Sequence, residues 1–253
     1  MIIHRVSLTL QEKCFFASRE VHTFFQTEPV IGNYALAYAF GLARAPYHVD
    51  SVKRERPRYR EDLEPLNEAG IYITPATVVG RPRFEVERFN ALVDSYWYQM
   101  GQNVVLADCI KYKIEKERPP RTNFPQQGRI RSLARGNRFV CYLFSERPWA
   151  APSYIRLGKF MAKTKVVIEA VWSDPPVEDV RGAYIDFHLN PVDLPEALEV
   201  RRFDLRNIPP VPLLYHLEVG GLCYRVGEVL LPVGMAFRFP AQGAGGGKRR
   251  GRR

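Results

Sequence analysis

No two cysteines of the 253-residue sequence stand at metal-ligand spacing: Cys14, Cys109, Cys141 and Cys223 are scattered, each beside apolar or aromatic neighbours. That excludes a local metal box and marks the four as buried thiols. No apolar run approaches the ~18 residues a membrane span requires. Residues 1–10 alternate in polarity and do not form the continuous apolar block of a secretory signal. The protein is therefore expected in the cytoplasm and away from membranes. A phosphate-binding loop is also missing, because the glycines of 243–247 are followed by basic residues and preceded by no strand. Acidic residues are the scarcer charge, 27 against 37 Lys and Arg, for a net charge of +10.

What is present is enough apolar surface for a core. A hydrophobic content of 46% with 12% aromatics describes a globular chain of one domain or two closely joined ones. The last six residues hold five of the positive charges behind a flexible 242–247 segment, which leaves +5 for the rest. Of the 37 basic residues 28 are arginine, whose planar fork suits phosphate and stacks on bases.

Residues 2–10 set Ile2, His4, Val6, Leu8 and Leu10 on one face and Ile3, Arg5, Ser7 and Thr9 on the other, the period of a strand. The spacing of Ile31, Tyr34, Ala35, Tyr38 and Leu42 then predicts an amphipathic helix. Strands or hairpins are predicted at 70–79, 104–110, 139–144, 165–172, 183–189 and, around Gly220 and Gly221, at 213–226, with a short helix capped by Asp193 running to Arg201. Residues 84–100 show no clean period. The whole reads as a strand-rich α+β chain.

Three basic elements are embedded in it. Residues 111–138 carry nine basic residues, two acidic ones, three prolines and two glycines, a composition that resists packing and is expected to form a mobile arm ordered by a polyanion. Its candidate contacts are Arg118, Arg121, Phe124, Arg129, Arg131, Arg135 and Arg138. Residues 53–60 form a second basic loop with Lys53, Arg54, Arg56, Arg58 and Tyr59, to which Arg44 adds a charge. Residues 154–165 form the third, where Gly158 stands among Arg156, Lys159, Lys163 and Lys165, so that backbone and cations approach a phosphate together. Tyr59, Phe124 and Phe160 are candidate base-stacking surfaces, and the combination favours single-stranded nucleic acid. The alternative is an arginine-rich solvated surface.

An enzymatic reading has less support. His4, His22, His48, His188 and His216 are isolated, and His4 and His188 fall on alternating strands where structural histidines are common. Tyr47 and His48 near Lys53 are the one candidate acid–base group, for metal-independent RNA cleavage. No cofactor or metal site is expected.

With the elements placed, residues 2–10 followed by Phe15, Phe16, Ala17, Ser18, Arg19 and Glu20, then Gly32, Asn33, Tyr34, Ala35, Leu36, Ala37, Tyr38 and Ala39, resemble the Cas-five-type subunit of type I-D CRISPR Cascade, the Csc-one family. The likeness continues through GIYITP at 70–75 and YIRLGKFMAK at 154–163 and covers most of residues 1–172. It implies a ferredoxin-like (RRM-like, RAMP) antiparallel sheet over 1–175 with the basic arm inserted at 111–138, a β-rich C-terminal lobe over 176–240 and a disordered basic tail over 241–253. The resemblance also implies a noncatalytic subunit that binds the repeat-derived 5′ handle of the crRNA. Its neighbours would be the Cas-seven-type backbone subunit, the Cas-ten-type large subunit and the target double-stranded DNA near the PAM. Arg19, Lys159 and Lys163 are the handle contacts on which resemblance and charge agree.

Overall fold

The computed structural model describes residues 1–22, 24–43, 58–90 and 127–239. Arg44, Tyr47, His48, Lys53, Arg54, Arg56, Cys109, Arg118, Arg121 and Phe124, the strand expected at 104–110 and the C-terminal tail lie outside these residues. Along the chain come β1 (Ile2–Leu10), β2 (Arg19–Val21), β3 (Phe24–Gln26), β4 (Val30–Ile31), α1 (Asn33–Ala39), α2 (Tyr59–Glu68), β5 (Tyr72–Ile73), β6 (Ala76–Val78), β7 (Phe84–Asn90) and β8 (Gln127–Leu133). There follow β9 (Arg138–Ser145), β10 (Tyr154–Leu157), β11 (Ala162–Ser173), β12 (Val177–Ile185), β13 (Glu199–Arg206), β14 (Leu213–Val226) and β15 (Val229–Pro232). The protein is a sheet-rich α+β structure with few helices.

The alternation of β1 decides the centre of the molecule. Val6, Leu8 and Leu10 point to one side and are fully buried, and on β9 Phe139, Cys141 and Leu143 do the same. Each leucine removed from water in this way contributes about 1.5–3 kcal/mol. β1 pairs antiparallel with β9 on one side and β11 on the other, in a seven-stranded sheet of order β10-β11-β1-β9-β6-β4 with β5 also on β9. Phe40, which ends α1, meets Trp149 edge-on at 5.4 Å, and Trp149 meets His4 at 5.7 Å, so the end of this helix packs on the face that holds Val6 and Leu8.

A second sheet, β12-β14-β13 with β15 added to β14, lies toward the C-terminus. It covers part of the other face of the large sheet, where Phe187 meets Tyr142 at 5.5 Å and Tyr224 meets Phe144 at 6.1 Å. The joint holds a buried carboxylate. Asp193 Oδ2 accepts from Asn33 Nδ2 at 2.6 Å and from the Tyr72 hydroxyl at 3.1 Å, while Oδ1 accepts from the Arg238 N–H at 3.1 Å. Burial pushes its pKa up to about 7, against the opposing pull of these bonds. The third sheet, β2-β3-β8-β7, has β3 and β8 parallel and its other pairs antiparallel.

Several expectations change. Residues 59–68 are helix α2 and not the end of a loop, with Glu61 and Asp62 in the first turn; Pro65 inside it and the arginines before it hid the period. Asp193 does not cap a helix to Arg201: Asn190 caps a single 3-10 turn by accepting from the Val192 N–H at 3.1 Å, and 199–206 is β13. Gly220 and Gly221 turn no hairpin. They lie inside the 14-residue β14, where Gly220 is paired with both Arg181 and Glu199, and the chain reverses between β14 and β15 at Gly227. A central strand flanked on both sides has room for glycines where neighbours come close, and a Cβ on Gly220 would stand 3.2 Å from Glu199 Oε2.

Candidate nucleic-acid interface

The stretch 111–138 is not one mobile arm, because from Gln127 it is β8, and Arg138 opens β9. Charge does not stop β8 because it falls on alternate positions. Register then sorts the whole third sheet into two unlike faces, since residues opposite one another share a side. One row across it is Arg19, Gln26, Arg131 and Val86, and the next is Val21, Phe24, Arg129 and Arg88. The reverse face has Glu20, Phe25, Ile130 and Glu87 in register, with Ser132 opposite Glu85. All acidic residues of these strands are thus on one side and all arginines on the other.

The basic side keeps much of its charge available. Arg131 is held, its guanidinium 3.7 Å over the Phe84 ring and its Nη1 donating to Gln26 Oε1 at 3.3 Å. Arg19 lies 3.6 Å from Glu28, a carboxylate that Arg206 already engages at 2.9 Å. Arg88 and Arg129 are exposed and make no ion pair among the described residues. Arg135 is exposed in the following turn, where its carbonyl accepts from Arg83 Nη2 at 3.4 Å. On the acidic side Lys13 pairs with Glu87.

The second basic surface belongs to the large sheet. Tyr154 is opposite Lys165 and Arg156 opposite Lys163, and Lys165 is in turn opposite Thr9, itself opposite Arg138, so these side chains share the face turned away from Val6 and Leu8. Lys163 Nζ lies 4.2 Å over the Tyr154 ring. Arg156 Nη1 donates to the Met161 carbonyl at 3.1 Å and reaches Glu12 at 3.4 Å, and Glu169 binds both Arg138 at 3.2 Å and Arg5 at 3.1 Å. Lys159 and Lys165 are exposed without an ion pair among the described residues.

Segment 12–18 joins the two surfaces. Cys14 exchanges backbone hydrogen bonds of 2.9 Å with Leu133 of β8, the Ser18 N–H donates to Gln26 of β3 at 3.0 Å, and Phe15 accepts from the Lys159 N–H at 2.8 Å. Gly158 makes this last contact possible: its φ is +74°, and a Cβ there would stand 2.6 Å from the Phe15 carbonyl oxygen. The glycine therefore serves the approach of two backbones. Phe160 is 54% exposed and stacks on Phe15 at 5.3 Å, which leaves one ring face open. Arg19, Lys159 and Phe160 are thus anchored to one short segment, while Arg58 stands at the start of α2, 3.6 Å from Glu61. Tyr59 turns inward, 5.1 Å from the Tyr34 ring, and burial raises its pKa.

Sequence reasoning missed Arg88 and Gln26. The signal for Arg88 was the alternation of Phe84, Val86 and Arg88 with Glu85 and Glu87, which is visible once 84–90 is read as a strand.

His4, His188 and His216 have structural partners. His188 Nδ1 is 2.9 Å from the Thr77 hydroxyl, its ring stacks on Tyr215 at 5.1 Å, and burial first, with Arg206 and His216, pushes its pKa down to about 3. His4 bonds Ser145 at 3.2 Å, and burial lowers its pKa as well. Exposed His216 lies 2.8 Å from Asp204 and 3.3 Å from Asp186. Among the described residues no three His, Cys, Asp or Glu side chains group as metal ligands. Cys14, Cys141 and Cys223 are buried and unpaired, with the Cys14 thiol pushed up to about 12 by burial. No described helix is long and apolar enough to cross a membrane.

Comparison with known families gives first the class: the chain is a CRISPR-associated protein. Within that class it belongs to the family described as type I-D CRISPR-associated protein Cas5/Csc1, whose model matches residues 1–240 and so takes in all three sheets. Members of this family are type I-D Cascade subunits. Comparison with curated protein sequences gives no match.

Proposed function

We propose that the chain is a noncatalytic, RNA-binding subunit of type I-D Cascade that holds the repeat-derived 5′ handle of the crRNA. In this reading the handle runs from the basic face of the third sheet, across segment 12–18, to the loop 158–161 and the β10–β11 face. The observation that carries it is a set of exposed cations without ion pairs among the described residues, Arg88, Arg129, Lys159 and Lys165, on two surfaces joined by one segment. Arg88 and Arg129 stand opposite one another on neighbouring strands and repel, and a phosphate backbone is a ligand that relieves exposed cations of this kind. Phe160, with one face open, adds a stacking surface.

A ferredoxin-like core of the RAMP type belongs to the same reading. Counted along the chain, β1, β6, β9 and β11 are first to fourth, and the sheet sets them fourth, first, third, second, all antiparallel, with α1 and α2 between the first two. That is the order of a βαββαβ unit in which β10 stands where the second helix would come. The subunit works in the cytoplasm, beside the Cas-seven-type backbone subunit and the Cas-ten-type large subunit, and helps present PAM-proximal duplex DNA.

The test is binding of handle RNA to the full chain at several salt concentrations. Replacing Lys159 and Lys165 by Ala should weaken binding and make its salt dependence shallower by roughly 0.7 per lost phosphate contact. Unchanged affinity and slope would refute the reading. Incubation with repeat RNA in EDTA addresses catalysis: no cleavage is expected, and cleavage lost in His48→Ala would make the chain an endoribonuclease instead.

A further inference from the structure

We infer that the cavity between α1, the start of α2 and the Pro209–Pro210 corner receives one unstacked nucleobase of single-stranded RNA, an inference that rests on the RNA-binding reading and gives it a specific base site. The cavity measures about 340 Å³, room for a single planar group and not for a helix. Rings of Phe16, Tyr34, Tyr38 and Tyr59 wall it, with Tyr59 5.1 Å from Tyr34 and 6.3 Å from Tyr38. Its floor is the small apolar cluster of Val30, Ile208 and Leu213, which stands apart from the main core.

Gly32 is the most informative residue there. Its φ of −64° and ψ of 145° suit any amino acid, and a Cβ would meet nothing within 4 Å. Neither backbone strain nor crowding accounts for a glycine. Its missing side chain leaves open a space that aromatic rings surround.

Polar groups at the rim favour a base over an aliphatic side chain. Ser18 Oγ accepts from the Glu28 N–H at 3.2 Å and keeps its own proton to donate, and the Tyr59 hydroxyl has no hydrogen-bond partner among the described residues. Charge points the same way. Ser18 is followed by Arg19 and Tyr59 is preceded by Arg58. Aromatic walls with cations around them fit a base attached to a phosphate chain.

The experiment uses the full chain and handle oligoribonucleotides in which a single 2-aminopurine is stepped along the strand. One position should change its fluorescence on binding, and Gly32→Leu, which plugs the cavity, should abolish that change and weaken binding on the order of tenfold, while Gly32→Ala keeps both. Ser18→Ala, which leaves the cavity's shape intact, should weaken binding severalfold and keeps the test valid should the Leu variant unfold. If the RNA binds and no position responds to Gly32→Leu or Ser18→Ala, the base site is wrong and the RNA-binding reading stands. If the unaltered chain binds no handle RNA, both fall. A Gly32→Leu chain that binds RNA normally but loses a Cascade protein partner would identify the cavity as a protein-docking site and overturn the inference.

Discussion

The third sheet leaves Arg88 and Arg129 without an ion pair among the described residues, whereas the C-terminal sheet pairs each of its arginines except the exposed Arg181. In the C-terminal sheet Arg225 makes a two-pronged contact with Glu178 at 2.5 and 2.7 Å, Arg201 pairs with Glu199 at 2.9 Å and Arg202 with Glu218 at 3.6 Å. In the third sheet the acids are on the reverse face, and around β10 and β11 Glu12 and Glu169 engage Arg156, Arg138 and Arg5 and leave Lys159 and Lys165 without an ion pair among the described residues. Positive charge alone therefore says little about ligand binding. Whether a strand places its acids beside its arginines or behind them separates a self-neutralised surface from one that awaits an anion.

The largest expected effect comes from reversing that arrangement. Arg88→Glu together with Arg129→Glu should lower affinity for handle RNA by roughly 100-fold or more at low salt, with the loss shrinking as salt rises. Exchanging Arg201 and Arg225 for Glu should leave RNA affinity within about twofold. Equal losses in the two variants, measured by fluorescence anisotropy, would erase the distinction between the regions.

Next in size is the joint between loop 158–161 and segment 12–18. Gly158→Ala places a Cβ against the Phe15 carbonyl at a positive φ and should cost on the order of 1–3 kcal/mol in denaturant unfolding. RNA binding should fall with it, because Lys159 and Phe160 ride on this loop. Unchanged stability would mean that the two backbones are not in contact.

A smaller effect concerns the buried carboxylate at the joint of the sheets. With a folded-state pKa near 7 against 3.8 in the unfolded chain, Asp193 binds more protons folded than unfolded between those values. Its contribution to stability is therefore full below pH 3.8 and declines as pH rises through 7. The melting temperature of the native chain relative to Asp193→Asn should fall as pH is raised from 4 to 7, and a flat difference would rule out a raised pKa. Least of all should happen on Arg225→Ala, whose pair with Glu178 is solvent-exposed: a thermal melt should barely move.

The parts of this architecture legible in the sequence are those set by local alternation. β1, β9 and β11 could be read because each alternates or runs apolar for a full strand length, and α1 because Tyr34 and Tyr38 recur on one side. The parts that were hidden depend on partners far away. β8 reads as loop because its arginines, glycine and serine look hydrophilic until β3, about a hundred residues earlier, and β7 give them a register. Gly220 and Gly221 suggest a turn until two flanking strands explain them as central. Of the candidate contacts, Lys159, Phe160 and Lys165 could be proposed from type and position, but the separation of Arg88 and Arg129 from Glu85 and Glu87 exists only once the strands are paired.

Ultraviolet crosslinking of handle RNA to the full chain, followed by mass spectrometry of the attached peptides, tests the central claim most directly. Crosslinks should concentrate in peptides from β7, β8 and residues 154–165, with none on the outer strands β12 and β13. Crosslinks confined to β12 and β13, where Arg201, Arg202 and Arg206 are already paired, would contradict the account.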